Sequence, residues 1–336
     1  EAIETPFNTE DAPHASTGYL GLREETWKRH HTLEELTGPR YGFTHYPWTG
    51  SDPVPVTDRD GRVIAVMAGQ PDDPNWDHVQ EEAAERMETS RKECKFSPDQ
   101  RAHRRGQFAA LSYGISYGGG QTHPQNLHHT GAHTSLIMSL INCLAFIRLA
   151  GFASSAFATW APNLFHYYAL HLRDLLLHDA TLMLNWTHSI FAAATFNFGP
   201  RTPCFRHTDS GNLPFGWCAI TALGQFDHRR GGHLVLWDLK LVIDFPPGST
   251  ILIPSAILRH LNTNIGWWEK RYSFTQYTAG GLFRWVDYGF RTSEEYWGSL
   301  NPAEQAAAKQ TREERWRMGL GMFSTLDDLR RRATGA

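Results

Sequence analysis

The rhythm of apolar and polar residues changes several times along this 336-residue chain. Residues 1–72 hold no sustained period and are rich in Pro, Gly, Thr and charge. The exception is a hairpin predicted around Asp58-Arg59-Asp60-Gly61, ahead of the apolar run in Arg62-Val63-Ile64-Ala65-Val66. Residues 73–96 predict one polar helix starting near Asp73-Pro74, with Glu81 and Glu82 early and Arg91 and Lys92 late. That order of charges opposes the helix dipole favourably at both ends. A glycine-rich segment, Ser112 to Gln121, reads as a loop, and helices are predicted over roughly 132–187. From Ile190 to Trp285 short β-type runs dominate, and Asn301-Pro302 with Glu304 signals a late helix start. Strands after helices predict an α+β unit, divided into an extension with the Gly-rich loop (1–131), helical support (132–187), a β core (188–291) and C-terminal helices (292–336).

Composition narrows the class. At 41% hydrophobic, with 12 Trp, 11 Tyr and 19 Phe, the chain can bury a large core and is read as a single unit. A net charge of −3 gives no global attraction to nucleic acid, so any such contact must come from a local patch. The basic cluster running from Arg91-Lys92 through Arg104-Arg105 is the candidate. Cys94, Cys143, Cys204 and Cys218 are widely spaced, which predicts neither a zinc module nor a disulfide framework and points to a reducing compartment. The apolar stretch from Ser135 to Ala161 is broken by Asn142, Arg148 and Gly151, so core helices are expected there rather than a membrane span. The acidic start Glu1-Ala2-Ile3-Glu4 lacks the basic region of a secretory signal, and an intracellular location is expected.

The chemistry concentrates in three features that recur in order: His207-Thr208-Asp209, then His260, then Arg271-Tyr272-Ser273. Two histidines and a carboxylate can cap one face of Fe(II) and leave the remaining positions open. An arginine shortly after the second histidine suits the distal carboxylate of 2-oxoglutarate, because its planar fork binds carboxylate bidentately; Ser273 is expected to help. Val242-Ile243-Asp244-Phe245 reads as a strand, Pro246-Pro247-Gly248-Ser249 as a turn and Thr250 to Pro254 as the returning strand, with His260 just beyond. Arg271 opens the alternating strand Arg271 to Tyr277. Short strands and tight turns that gather these residues predict a double-stranded β-helix, a jelly-roll variant, packed with helices from the N-terminal half. His207, Asp209 and His260 are therefore the expected metal ligands and catalytic centre, with O2 as the further co-substrate.

Over Asn197 to Arg291 the chain resembles the TET/JBP family of 2-oxoglutarate- and Fe(II)-dependent nucleic-acid dioxygenases, and is similar to its fungal, Coprinopsis-type branch. The matching stretches are Asn197-Phe198-Gly199-Pro200, His207 through Asn212, Gly231 through Leu236, and Arg271 through Tyr277. The resemblance implies oxidation of methyl groups on flipped-out bases of DNA, and hence a nuclear location. It places Asn212 against the edge of the target base and Tyr277 in a stack with its ring. A base in a duplex can be reached only by flipping.

One position departs from the family pattern. Members acting on 5-methylcytosine carry a histidine eight residues after the anchoring arginine, where this chain has Ala279, followed by Gly280-Gly281. The small residues predict a wider pocket that admits N6-methyladenine beside 5-methylcytosine, with Gly281 at the wall and Asp287 accepting from the exocyclic amino group. Gln121, His123, Gln125 and Asn126 follow the glycines, and Asn126 is expected to reach the substrate from a loop over the site. A protein hydroxylase of the prolyl or asparaginyl type is the alternative, since it would use the same iron ligands and arginine.

Overall fold

A computed structural model describes residues 2–335. Its strands are β1 (Ile3–Glu4), β2 (Thr44–Tyr46), β3 (Val54–Thr57), β4 (Val63–Gly69), β5 (Ala109–Ser116), β6 (Gln125–Asn126) and β7 (Ala193–Phe198). They continue with β8 (Cys218–Gln225), β9 (Leu234–Leu236), β10 (Leu241–Ile243), β11 (Thr250–Ile253), β12 (His260–Asn262) and β13 (Lys270–Tyr277). A nine-stranded sheet runs β1-β3-β4-β11-β8-β13-β7-β5-β6, and a four-stranded sheet runs β12-β9-β10-β2. From β8 onward the chain crosses repeatedly between them: β8 in the large sheet, β9 and β10 in the small, β11 in the large, β12 in the small, β13 in the large. This winding is the double-stranded β-helix expected from the sequence.

The period-2 pattern of β13 explains how the large sheet is used. Tyr272 and Phe274 point outward with Phe196 and Phe198 of β7, into a core beneath the helices Trp76–Glu93, Ala132–Ile141 and Leu144–Trp160. Phe146 of the last helix is fully buried, with ring centroids 5.0 Å from Phe196 and 5.2 Å from Phe274. The alternate residues face inward, and here the sheet is polar. Across β13, β7 and β5, Ser273 pairs with Asn197, which pairs in turn with Ala110, and Thr275 pairs with Thr195, which pairs with Ser112. An apolar face toward the helices and a polar face toward the interior marks a lined cavity rather than a second core.

Several expectations change in three dimensions. The Gly-rich segment is strand β5 up to Ser116, and only Tyr117–Gln121 loops out. Gly114 allows this at φ +120°, because an added Cβ would lie 2.3 Å from the Ala192 carbonyl oxygen of the neighbouring strand. Pro246–Ser249 does not close a hairpin, since β10 pairs with β9 and β2 whereas β11 pairs with β4 and β8. It carries the chain from one sheet to the other. Residues 280–287 form a helix, not a strand: Leu282, Phe283 and Val286 fall on one helical face, and the first two are buried. The segment 1–131 is no appendage, because β1, β3, β4, β5 and β6 all belong to the large sheet. The C-terminal helix Pro302–Leu320, with its Asn301–Glu304 capping box, holds the N-terminal segment through Trp316 Nε1 to the Glu10 carbonyl (3.1 Å) and Arg315 to the Thr17 carbonyl (2.8 Å). Among the described residues no single helix is long and apolar enough to cross a membrane. Helices Ala132–Ile141 and Leu144–Trp160 pass by length and composition only as a pair, and they are bent by 60°.

Candidate active site

His207, on a segment outside the named strands, meets His260 at the start of edge strand β12 in an isolated antiparallel bridge. The His207 N–H donates to the His260 carbonyl (3.0 Å) and the His260 N–H to the His207 carbonyl (2.9 Å). Each ring is then oriented by its own Nδ1, against the Phe205 carbonyl at 2.6 Å for His207 and the Leu258 carbonyl at 2.9 Å for His260. These contacts turn both Nε2 atoms toward Asp209, with His207 Nε2 3.7 Å from Oδ1 and His260 Nε2 3.8 Å from Oδ2. Burial pushes both imidazoles below their ordinary value, which keeps them neutral and available as ligands. Burial alone would raise the Asp209 carboxyl, but His207, His260, Arg105 and Arg104 together hold it below the usual range. Two neutral imidazoles and one carboxylate converge with an open side, which is the donor set for a ferrous ion.

Arg271, on the inner face of β13, is 1% exposed. Its Nη1 donates to Thr202 Oγ1 (2.9 Å), and the guanidinium lies between the rings of Phe226 and Phe245, 5.7 Å from each. Nε and Nη2 have no hydrogen-bond partner among the described residues. Burial drives the guanidinium down to about 10, with Cys204 opposing it. A buried cation with two unused donors on one edge is shaped for a carboxylate. Gly232 keeps that space clear, because a Cβ there would sit 3.0 Å from Arg271 Cδ. Ser273 accepts from Asn197 Nδ2 (3.0 Å), and Asn197 Oδ1 is a further buried atom without a partner among the described residues. The residues present thus fit both the iron and 2-oxoglutarate.

Beside Asp209 a pocket of about 210 Å³ is lined by Arg104, Arg105, Ser112, Thr195, Asn212, Thr275 and Tyr277. It is smaller than the roughly 300–1,000 Å³ of a drug-sized site and suits one planar base. Asn212 and Tyr277 are both in it, as the resemblance implied. Asn212 is held by its Nδ2 to Ser255 Oγ (3.1 Å) and by an antiparallel bridge to Ala279. Arg104 donates to the Thr208 carbonyl (2.8 Å) and stands 3.7 Å from Asp209, closer to the centre than the backbone-tracking role read from its basic cluster. Ser112, Thr195 and Thr275 were not singled out from the sequence. The alternation Arg271-Ser273-Thr275-Tyr277 carried the signal for one of them.

Three expected substrate contacts are not brought to this pocket. Asp287 accepts from Tyr19 Oη (2.5 Å) and bonds His171 Nε2 (2.9 Å), and it lines a separate cleft with Tyr167, Tyr288, Tyr296 and Arg315. Asn126 clamps the 181–183 turn, donating to the Thr181 carbonyl (2.7 Å) and accepting from the Met183 N–H (3.0 Å). Gly281 packs against Tyr117, whose carbonyl oxygen would lie 2.8 Å from an added Cβ, and a Cβ on Gly280 would lie 1.7 Å from the Tyr19 carbonyl oxygen. The two glycines serve close packing rather than pocket width. Gly281→Leu is therefore expected to cost about 1–3 kcal/mol through overpacking and to lower turnover on any substrate equally. A normal melting temperature with selective loss on a purine substrate would return Gly281 to the pocket.

By sequence, no family model and no curated protein matches the chain. Among solved structures it is similar to NgTET1 in complex with 5mC DNA, with a TM-score of 0.50 and 15% identity over 71% of this chain and 83% of that one. It is similar at lower TM-scores to an oxidoreductase of the 2OG-Fe(II) oxygenase family from Burkholderia pseudomallei (0.33; 16% identity; 58% and 76% covered) and to OsALKBH1 (0.32; 10%; 58% and 91%). The likeness to NgTET1 is one of fold, and it agrees with the jelly-roll core described above.

Proposed function

We propose that this chain is a TET-like, 2-oxoglutarate- and Fe(II)-dependent dioxygenase that oxidises the methyl group of a modified base flipped out of DNA. The observation that carries the reading is Arg271, a buried guanidinium with two unpaired donors on the same barrel interior as the His207–Asp209–His260 set. When bound, iron and 2-oxoglutarate supply the oxidation: one atom of O2 enters succinate as CO2 leaves, and the other enters the methyl group. His207 Nε2, Asp209 and His260 Nε2 hold the metal from one side, with the two Nδ1 contacts to backbone carbonyls fixing both rings. Arg271, held in place by Thr202, would fix the co-substrate's distal carboxylate, and Ser273 is hydrogen-bonded to Asn197 on the same polar face of the sheet.

The DNA assignment rests on the small polar pocket and on its likeness in fold to a protein solved with 5mC DNA. Tyr277 offers a face for stacking, Asn212 an amide for a base edge, and Arg104 and Arg105 positive charge at the mouth. On 5-methylcytosine the product is a hydroxymethyl base, open to further oxidation. On N6-methyladenine it is a hemiaminal that loses formaldehyde. The small side chain of Ala279, bridged to Asn212, is what favours a second, larger base, now without help from Gly281 or Asp287.

The test is mass spectrometry of oligonucleotides bearing 5-methylcytosine or N6-methyladenine after incubation with the iron-loaded chain and 2-oxoglutarate. Oxidised 5-methylcytosine with matching succinate is expected. Succinate formation with both oligonucleotides unchanged, alongside hydroxylation of a prolyl or asparaginyl peptide, would replace this reading with a protein hydroxylase. Tyr277→Ala should lower kcat/KM on the oligonucleotide by roughly 10–100-fold, from about 1–3 kcal/mol of lost stacking. Turnover of 2-oxoglutarate without DNA should stay as in the parent. An equal fall in both rates would place Tyr277 in the core rather than against a base.

A further inference from the structure

A second set of metal-type donors lies in the small sheet. His45 of β2 and Asp244, just after β10, are 199 residues apart in the chain, yet His45 Nε2 is 2.7 Å from Asp244 Oδ1. His233, just before β9, places its Nε2 3.3 Å from the same oxygen, and the donor atoms of all three lie within 4.8 Å of one another. His233 and Asp244 side chains are 1% and 2% exposed, whereas His45 is 31% exposed and faces the way in.

Two details separate this cluster from an ordinary buried hydrogen-bond network. His233 Nδ1 is tied to Thr263 Oγ1 at 2.7 Å, which fixes the ring with Nε2 toward the cluster. That Nε2 is buried and, despite its 3.3 Å contact with Asp244 Oδ1, makes no aligned hydrogen bond among the described residues. A metal-binding histidine is held in this way, by its other nitrogen. Asp244 pairs with no lysine or arginine among the described residues, only with the two histidines. A zinc ion with bonds of ~2.0–2.2 Å sets its donors ~3.3–3.5 Å apart in a tetrahedron. The Asp244–His233 spacing already meets that, and His45, on an edge strand, is free to open its shorter contact.

We propose that His45, His233 and Asp244 form a second site for a divalent transition ion such as Zn(II), which staples edge strand β2 to β9 and β10. Solvent completes the coordination past His45. Three ligands drawn from distant parts of the chain make the ion a cross-link of the N-terminal segment onto the barrel, bound only by the folded state. Nothing in the sequence pattern points to it, because no two of the ligands share a spacing motif.

The test uses the full chain stripped with chelator, with the first site silenced by a His207→Ala/Asp209→Ala double substitution. Zn(II) and Co(II) are titrated by calorimetry and by cobalt absorption, and melting temperature is followed. One equivalent is expected to remain bound, with a Zn(II)-dependent rise in melting temperature. His45→Gln, on an exposed edge, should weaken binding at least about 100-fold without changing the far-UV circular dichroism. Thr263→Val should weaken it by roughly 10–100-fold through loss of ring orientation. Absence of micromolar binding in the silenced chain, or binding that His45→Gln and Thr263→Val leave unchanged, would overturn the site and leave a hydrogen-bonded His–Asp–His network.

Discussion

His207→Ala and Asp209→Ala each abolish 2-oxoglutarate turnover and iron retention while the chain stays folded. Loss of a residue that only orients a metal ligand costs roughly 10–100-fold in affinity or activity. Loss of one of three direct ligands lies beyond that range. The fold survives because the site contributes little to what holds the barrel together: the large cores run through Phe146, Phe196 and Phe274 under the helices and through Trp217, Phe157 and Tyr168 elsewhere. Asp209 is also 20% exposed at its side chain, so its removal leaves no sealed cavity. Bound iron by atomic absorption, succinate formation and thermal unfolding by circular dichroism are the three readouts. Near-normal succinate formation in either variant would remove His207–Asp209–His260 as the catalytic centre.

The site was legible in the sequence to the degree that it depends on short-range pattern. His207-Thr208-Asp209 places two ligands on one extended segment, and the strand Arg271 to Tyr277 alternates polar and aromatic residues, so its inward and outward faces were readable. What stayed hidden depends on partners far along the chain. Gly280 and Gly281 read as a widened pocket because their neighbours, Tyr19 and Tyr117, are more than a hundred residues away. Asp287 read as a base contact until Tyr19 and His171 were seen to occupy both of its oxygens. The glycines of 114–120 masked a strand, since only the close approach to Ala192 explains why Gly114 sits within a ladder. The same holds for β2, whose parallel pairing with β10 brings His45 to Asp244.

Arg271→Ala is expected to weaken 2-oxoglutarate binding by about 3–5 kcal/mol, the cost of breaking a buried ion pair by removing one partner. At 1.4 kcal/mol per tenfold, this is roughly two to nearly four orders of magnitude in Kd. The folded chain alone supports a number of that size. Burial holds the guanidinium at about 10 against an ordinary 12.5, which corresponds to about 3 kcal/mol set against its charged form. The sign follows from proton counts: between about 10 and 12.5 the unfolded chain binds the proton that the folded chain gives up, so stability rises with pH there. At neutral pH both states are protonated, and the free protein carries the full penalty. A dianionic co-substrate relieves it, which is why Arg271 is strained when alone and stabilised when paired. Arg271→Met, similar in volume and uncharged, should therefore melt no lower than the parent without co-substrate, yet lose the rise in melting temperature that 2-oxoglutarate gives the parent. Arg271→Lys keeps charge but loses the fork, so it should recover only part of the affinity. Calorimetric titration of 2-oxoglutarate into the anaerobic iron-loaded variants measures all three. Unchanged affinity in Arg271→Ala would mean that the buried guanidinium serves packing between Phe226 and Phe245, and that the carboxylate is held elsewhere.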